Sequence, residues 1–358
     1  MKLPVKYAAV LAISAFAVPA FSATDCELRG PVSYICGVQN VEDLIALRGT
    51  TWILGSRFAR GQGRPGGLYL IQSTTGRVTE PTIDYSVSPE AAFSACPSPP
   101  DAAAFGAHGI SARMIGRTQA GILAVNHAGR ESIEVFDLDL HAGNEPPTIR
   151  WRGCVVAPPE ASLNAVTHLP GAGFAVTSFG NNSDKDSARK MVAGEAIGFV
   201  AEWNPARGWA RMPQPPIAAP NGIVASPDGK VLYVAAWGDG KLHLIQRGGH
   251  DAASGLPLAL PPGFHPDNIR WTAQGMLMIA GQTATPAEIL QSLQGPVSTV
   301  PFEVIQVDPR TRQVTEVLSD AGSPLFGGAS VAIPVGREIW IGSFRGDRIA
   351  RYPAPSRE

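Results

Sequence analysis

Six polar residues mark the beginnings of short apolar segments that lie far apart along the 358-residue chain. These residues are Glu42, His108, Asn164, Asn221, Asp267 and Asn268. Their two carboxylates and three amide carbonyls are hard oxygen donors, the type that binds calcium at about 2.3–2.6 Å. A histidine beside such donors can take a proton from water near neutral pH. If the fold brings these side chains together, they could hold a cation and hydrolyse a carbonyl compound.

The elements that carry these residues form a repeated pattern of short strands. The clearest copy has apolar strands at 221–225, 231–235 and 241–245, with the turn Ser226-Pro227-Asp228-Gly229 between the first two. Pro-Asp-Gly is a strong turn sequence, and its flanks read as strands. The same strand start recurs at intervals of 46 to 66 residues, at Asp43, Gly109, Ala165, Gly222, Asn268 and Gly328. Six such units predict an all-β, six-bladed β-propeller. A β-sandwich whose hairpins resemble one another by chance is the alternative.

A propeller would bring the polar strand entries to one axis, because its innermost strands surround a central channel. Each residue alone has an ordinary explanation, since Asn-Gly is a turn sequence and a strand-end Asn or Asp often caps a turn. Turn capping does not explain the residues as a group, because Glu42 and Asp267 would repel each other across a narrow channel that held no cation. We therefore predict a central calcium site.

Several segments between about residues 38 and 350 resemble those of a known family. They are Glu42-Asp43-Leu44, Phe105-Gly106-Ala107-His108-Gly109-Ile110-Ser111, Val125-Asn126-His127, Ser162-Leu163-Asn164, Asn221-Gly222-Ile223 with 226–230, and Asp267-Asn268-Ile269. In these segments the chain resembles the paraoxonase/arylesterase family of calcium-dependent lactonases. That family belongs, with gluconolactonases and strictosidine synthases, to a superfamily of six-bladed propellers. The segment around His108, in register with the oxygen donors, is the most specific part of the resemblance.

The resemblance implies a role for each matching residue. It implies that a catalytic calcium is held by Glu42, Asn164, Asn221, Asp267 and Asn268. It implies that His108 and His127 form the catalytic histidine pair beside that ion. It also implies a second calcium at Asp43 and the backbone carbonyl of Ile110. Because Ala165 stands where the family has an aspartate, we expect that second site to be weak or empty.

These expectations lead to a predicted hydrolase of lactones, with aryl esters as a further substrate class. The calcium would polarise the carbonyl, and His108, hydrogen bonded to His127, would deprotonate the attacking water. Two alternatives stay open: a sugar-lactone hydrolase of the gluconolactonase type, and a non-catalytic ligand-binding propeller. The predicted partner is a small lactone or ester. The sequence contains neither a G-x-S-x-G nor an H-E-x-x-H motif, so a serine hydrolase or a zinc protease is not indicated.

The composition argues against other classes of protein. Lys plus Arg (29) and Asp plus Glu (30) nearly cancel, so a basic nucleic-acid-binding face is not indicated. Gly (39) and Pro (32) are too frequent for long helices. The longest polar stretch, residues 181–195, is expected to be a surface loop, with a lid over the channel mouth as a further interpretation. The oligomeric state is not readable from these features.

The beginning of the chain predicts export. Lys2 and Lys6 precede an apolar run from Tyr7 to Val18, which is followed by small residues. This pattern is typical of a secretory signal peptide, here over residues 1–22, and leaves 23–358 as one propeller domain. The apolar run is too short for a membrane span, which needs about twenty residues. We expect a periplasmic or secreted protein.

Cysteine usage agrees with an oxidising compartment. The chain contains an even number of cysteines, namely Cys26, Cys36, Cys96 and Cys154. Such a count in an exported protein predicts two disulfides. Three pairings are possible, and the short separation favours Cys26 with Cys36, which would leave Cys96 with Cys154.

Overall fold

A ring of six sheets surrounds a central channel in the computed structural model of the chain. The structure describes residues 26, 30–59, 66–101, 105–141, 145–248 and 255–355. The predicted signal peptide lies outside these residues. Within them the chain forms strands in six sheets and only two short α-helices, α1 (Ser187–Val192) and α2 (Pro286–Ser292), besides a 3-10 turn at Ala91–Phe93.

Each sheet is one blade, and the blades follow one another along the chain. Blade 1 contains β2 (Val41–Ala46), β3 (Trp52–Arg57), β4 (Gly67–Gln72) and β5 (Val78–Thr79). Blade 2 contains β6 (Ile83–Asp84), β7 (Ala107–Met114), β8 (Gln119–Asn126), β9 (Ser132–Asp139) and β10 (Thr148–Val156). Blade 3 contains β11 (Ala161–His168), β12 (Phe174–Asn181), β13 (Phe199–Asn204) and β14 (Gly208–Arg211). Blade 4 contains β15 (Pro220–Ala225), β16 (Val231–Ala236), β17 (Lys241–Gln246) and β18 (Gly255–Ala259). Blade 5 contains β19 (His265–Trp271), β20 (Leu277–Gln282), β21 (Phe302–Val307) and β22 (Val314–Asp320). Blade 6 contains β23 (Ala329–Val335), β24 (Glu338–Ser343), β25 (Arg348–Pro353) and β1 (Ser33–Cys36).

The apolar runs of the sequence become the second strands of the blades. In β16 all residues after Val231 are buried, and apolar residues follow one another without alternating with polar ones. A continuous apolar run suits a strand that is covered on both faces, and a blade has a neighbouring blade on each face. The turn before β16 forms as its sequence predicts, with Gly229 at φ +69° and the Asp228 carboxylate accepting the Lys230 N–H.

The six blades close into a ring. Each of the first strands β2, β7, β11, β15, β19 and β23 contacts the first strands of both neighbouring blades. Strand β1 pairs antiparallel with β25, so the amino-terminal part of the chain completes blade 6. The predicted all-β, six-bladed propeller is therefore confirmed, and the sandwich alternative is wrong.

Two disulfides hold parts of the periphery. Cys26 pairs with Cys36, and Cys96 pairs with Cys154, which is the favoured pairing among the three. The second disulfide ties the segment after Ala91–Phe93 to β10. Among the described residues no helix is long and apolar enough to cross a membrane.

The stretch 181–195, expected to be a surface loop, is partly helical. It contains helix α1, whose Met191 packs against an apolar cluster that includes Trp237 and Phe179. The polar composition hid this helix, because a single methionine that packs inward gives no apolar period in the sequence. Whether the segment acts as a lid stays a prediction.

Candidate active site

In every blade the pairing between the first and second strands is interrupted near the start of the first strand. In blades 1 to 5 the predicted site residues lie at this interruption. The unpaired positions are Glu42 and Asp43, His108 and Gly109, Asn164 and Ala165, Asn221 and Gly222, Asp267 and Asn268, and in blade 6 Ser330. Such irregularities re-aim side chains and release them from the alternation of a regular strand. This explains how adjacent residues of one strand can both serve the channel.

The five predicted calcium ligands are all buried. Four of them carry an oxygen that accepts no hydrogen bond from the described residues: Glu42 Oε2, Asn164 Oδ1, Asn221 Oδ1 and Asn268 Oδ1. Among described side chains, only one other buried oxygen, on Gln214, is left without a partner. Buried polar atoms are normally hydrogen bonded, and an unsatisfied one costs about 1–3 kcal/mol. Oxygens of this kind on four of the five predicted ligands are suited to an electropositive partner.

Direct contacts link the ligands across the channel. The Asn268 side-chain amide donates to Glu42 Oε1 at 2.7 Å and to the Glu42 backbone carbonyl at 3.1 Å. Asp267 accepts the Gln282 amide at 2.9 Å and is also hydrogen bonded by Asn221. In these bonds the amide nitrogens are the donors, so the side-chain oxygens of Asn221 and Asn268 are not used.

Blade 3 joins this set through its backbone. Gly109 lies against the Asn164 carbonyl, since a Cβ added to this glycine would come within 2.5 Å of the oxygen. The Thr177 hydroxyl accepts the Ala165 N–H at 3.0 Å and donates to the Asn221 carbonyl at 2.6 Å. The first strands of blades 2, 3 and 4 are thus held close together at the level of the ligands.

The two carboxyl groups of the set are electrostatically frustrated. Burial raises the pKa of Asp267 to about 7, although the amides of Gln282 and Asn221 oppose the rise. Burial also raises the pKa of Glu42 well above its usual range, and the nearby charges of Asp267 and Asp43 add to that effect. A divalent cation would oppose both pKa rises, because it favours the ionised carboxylates.

These donors fit a hard cation such as calcium. Calcium takes carboxylate and amide oxygens, and two carboxylates balance its charge. No cluster of three or more His, Cys, Asp or Glu side chains arranged as metal ligands occurs in the part of the chain that the structure describes. The predicted set does not require one, because three of its five members are asparagines.

The two predicted histidines are hydrogen bonded to each other, and Glu131 extends the chain of hydrogen bonds by one residue. His108 Nδ1 lies 2.8 Å from His127 Nε2, and His127 Nδ1 lies 2.9 Å from Glu131 Oε2. The carboxylate can only accept, so His127 donates from Nδ1 and accepts at Nε2, and His108 donates from Nδ1. This leaves the lone pair of His108 on Nε2, which lies 3.6 Å from Glu42 Oε1.

Glu131 is a residue of the candidate site that the sequence analysis missed. Its other oxygen accepts the backbone N–H of Leu163, the residue before Asn164, at 2.6 Å. The same carboxylate therefore contacts both the histidine pair and the strand that carries Asn164, a predicted calcium ligand. Its position four residues after His127, across a tight turn between β8 and β9, was the available indication in the sequence.

The predicted second calcium site has a different occupant. The Arg270 guanidinium forms an ion pair with Asp43 and donates to the Ile110 carbonyl at 3.2 Å. Burial raises the pKa of Asp43, and the Arg270 charge and the Ile110 N–H oppose the rise. Asp43 and Ile110 therefore do not fit a second calcium, because both of their candidate ligand oxygens already bind a cation.

Aromatic side chains pack against His108 and near Gln282. Phe58 packs against His108 with ring centroids 4.4 Å apart. The Trp237 indole donates to Gln282 at 2.9 Å, and Gln282 in turn binds Asp267. Trp237 belongs to an apolar cluster with Phe179, Met191, Ile289 and Phe344, to which α1 and α2 both contribute.

The opposite mouth of the channel is a cavity of about 710 Å³. The carboxyl ends of the first strands line it, and Arg270 stands among the lining residues. Ser111 and His168 are hydrogen bonded there at 2.8 Å, and burial, assisted by the Arg113 charge, lowers the pKa of His168 to about 3. His168 is therefore neutral at physiological pH.

Comparison with known proteins supports the fold. No family model and no curated protein matches the chain. The structure of a candidate gluconolactonase matches with a TM-score of 0.53 and 15% identity, over 93% of this chain and 96% of that one. A luciferin-regenerating enzyme matches with a TM-score of 0.53 and 13% identity, over 91% and 95%. The PQQ-bound aldose sugar dehydrogenase of Streptomyces coelicolor matches with a TM-score of 0.50 and 14% identity, over 89% and 97%.

At these identities the likeness concerns the fold alone. The matches agree with the β-propeller fold that the sequence predicts. They do not single out the paraoxonase/arylesterase family within it. That narrower resemblance continues to rest on the residues around His108 and the five oxygen donors.

Proposed function

We propose that this protein is a calcium-dependent hydrolase of lactones, with aryl esters as a second substrate class. The observation that carries the proposal is that four of the five predicted ligands carry a buried oxygen without a partner among the described residues, while His108 Nε2 lies 3.6 Å from the other oxygen of Glu42. Glu42, Asn164, Asn221, Asp267 and Asn268 would hold the ion. When bound, calcium would polarise the substrate carbonyl and stabilise the negative charge that develops on its oxygen.

The residues of the chain supply the proton transfers. His108 accepts a proton from water at Nε2, which the bond to His127 keeps unprotonated in the resting state. Glu131 stabilises the positive charge that then spreads over the two rings, through its 2.9 Å bond to His127. When the ring C–O bond of the lactone breaks, the same Nε2 returns the proton to the leaving oxygen.

The aromatic side chains near the predicted site support an apolar substrate in this proposal. Phe58 packs against His108, and Trp237, which belongs to an apolar cluster, donates to Gln282, the partner of Asp267. A sugar lactone carries several hydroxyl groups that apolar side chains could not satisfy. Aliphatic or aryl lactones are therefore the preferred substrates in this proposal.

The test is hydrolysis of a panel of lactones by purified protein before and after removal of metal by a chelator. We expect opening of aliphatic lactones that chelation abolishes and added calcium restores. Preference for gluconolactone would instead support the sugar-lactone alternative. Full activity without metal would refute the role of calcium. Calcium binding without turnover of lactones or phenyl acetate would support the alternative of a non-catalytic, ligand-binding propeller.

We also propose that the protein is exported. The two disulfides support this, because such bonds persist in oxidising compartments. Fractionation of expressing cells would test it, with residues 1–22 removed as the control. Retention of the full chain in the reducing cytoplasm would contradict the proposal.

A further inference from the structure

The charged layer below the calcium ligands contains a fixed cation of its own. Arg270 Nε donates to the Leu44 carbonyl at 2.9 Å, and Nη1 donates to the Ile269 carbonyl at 2.7 Å. Nη2 donates to the Ile110 carbonyl at 3.2 Å and forms the ion pair with Asp43. The side chain of Asp43 is 1% exposed and that of Arg270 is 12% exposed. One guanidinium thus connects the first strands of blades 1, 2 and 5 inside the channel.

The two layers of the channel differ in how their negative charge is balanced. In the upper layer Glu42 and Asp267 form no ion pair with a lysine or arginine among the described residues. In the lower layer the single carboxylate, Asp43, contacts a full positive charge. One divalent cation above and Arg270 below would neutralise all three carboxylates. A second divalent ion would leave the channel with an excess of two positive charges.

The geometry of Arg270 also excludes an ion from its neighbourhood. Calcium needs six to eight oxygen ligands, whereas the Ile110 carbonyl and Asp43 already bind the guanidinium. Ala165, in the neighbouring strand, adds no carboxylate that could complete such a set. A guanidinium stays charged at any pH that the protein tolerates and offers five donors in a fixed plane. It can therefore replace a structural metal without depending on the metal supply.

We propose that Arg270 is the permanent cation of the lower channel layer, in the position that the resemblance gives to a second calcium, and that the protein binds one divalent ion only. The stoichiometry of one ion per chain rests on the proposed function, which puts an ion in the upper layer. The role of Arg270 is independent of that function.

The first experiment measures bound calcium per chain by equilibrium dialysis and elemental analysis. We expect one ion in the unmodified protein, and none in the Asn221→Ala variant. Two ions per chain, of which Asp43→Asn removes one, would overturn the inference. No bound ion would refute the proposed function while still agreeing with an arginine-held lower layer.

The second experiment is a double-mutant cycle that follows Tm in the presence of calcium. Arg270→Met leaves Asp43 buried without a counter-charge, and Asp43→Asn leaves the guanidinium uncompensated. Breaking a buried pair in this way is strongly destabilising, so each variant should lose roughly 5–15 °C in Tm. The double variant is neutral at both positions and should lose clearly less than the sum.

A matched control separates charge pairing from the loss of any arginine at this mouth. Arg113 lines the same cavity but donates to the carbonyls of Leu169 and Gly171. Arg113→Met should therefore lower Tm less than Arg270→Met and show no coupling to Asp43→Asn. Additive effects of the Asp43 and Arg270 substitutions, or an unchanged Tm in Arg270→Met, would overturn the inference. If both single variants fail to fold, recovery of folded protein in the double variant supports it.

Discussion

His108 owes its protonation state to residues that lie outside the ligand set. Glu131 can only accept, so it orders the protons of both rings and leaves Nε2 of His108 as the nitrogen with the lone pair. Second partners of this kind fix the tautomer of a histidine and raise its basicity. At the scale of single residues, the proposed chemistry therefore depends on three side chains acting in sequence, of which one touches the substrate.

Replacing His108 by glutamine should separate catalysis from metal binding. Glutamine can hydrogen bond but cannot accept a proton, so kcat for lactone hydrolysis should fall about 10²–10⁴-fold. The calcium Kd should change by much less, since His108 is not among the proposed ligands. Isothermal titration with calcium beside steady-state kinetics measures both. Equal losses of turnover and affinity would make His108 a structural residue.

Replacing Glu131 by glutamine should act on the same reaction more mildly. The amide carries no charge to stabilise a protonated histidine pair, so the base becomes weaker and we expect kcat to fall about 10–100-fold. Glu160→Gln, a carboxylate replacement at the start of blade 3, serves as the control. An unchanged kcat in Glu131→Gln would contradict the relay.

The first strand of each blade is the element that builds the site. Its interrupted pairing directs side chains into the channel, and small residues beside the ligands let neighbouring strands approach. A Cβ on Gly222 would lie 2.5 Å from the Asp267 carbonyl and 2.8 Å from the Asn268 Cα. The close approach of β15 to β19 therefore requires glycine at this position, because the atoms in the way belong to the backbone.

The Gly222→Ala variant tests the strand spacing. Overpacking of this kind costs about 1–3 kcal/mol and displaces backbone, so we expect a lower Tm and at least a tenfold weaker calcium affinity. Gly116→Ala is the matched control, since a Cβ there would meet no described atom within 4 Å. Thermal unfolding with and without calcium measures both effects. Equal behaviour of the two variants would show that the spacing does not matter.

At the scale of the whole molecule, ring closure brings together charges that no single blade would tolerate. Strand β1 completes blade 6, and the closed ring then buries Glu42, Asp43 and Asp267 around one axis. Burial raises the pKa of all three carboxyl groups. The ring is therefore most stable when cations or protons neutralise this centre.

The stability of the metal-free protein should reflect that requirement. The pKa of Asp267 is about 7 in the folded protein, against an ordinary value of 3.8. Between about pH 4 and 7 the folded state holds a proton that the unfolded chain has released, so stability falls as pH rises through this window. A difference of about three pKa units corresponds to at most about 4 kcal/mol.

Thermal unfolding in chelator across pH 4 to 8 measures this effect. We expect Tm to fall toward neutral pH, and the gain in Tm on adding calcium to grow over the same range, because the ion competes with protons. Asp267→Asn removes one of the titrating groups and should reduce the slope in chelator. A metal-free Tm that rises from pH 4 to 7 would contradict the assignment.

The amino-acid sequence alone was sufficient for the fold and for the residues on the channel axis. Repeated strand and turn patterns are local, and the entries of the first strands can be read from each copy, as at Asn221 or Asp267. The tertiary structure decided which side chains surround these residues. Gln282 and Arg270 lie on other strands or other blades than the carboxylates they contact, and Glu131 also binds the Leu163 N–H of the next blade. These contacts depend on packing that no local pattern encodes. Charge balance in the lower layer of the channel, in particular, is a property of three blades together and of no segment alone.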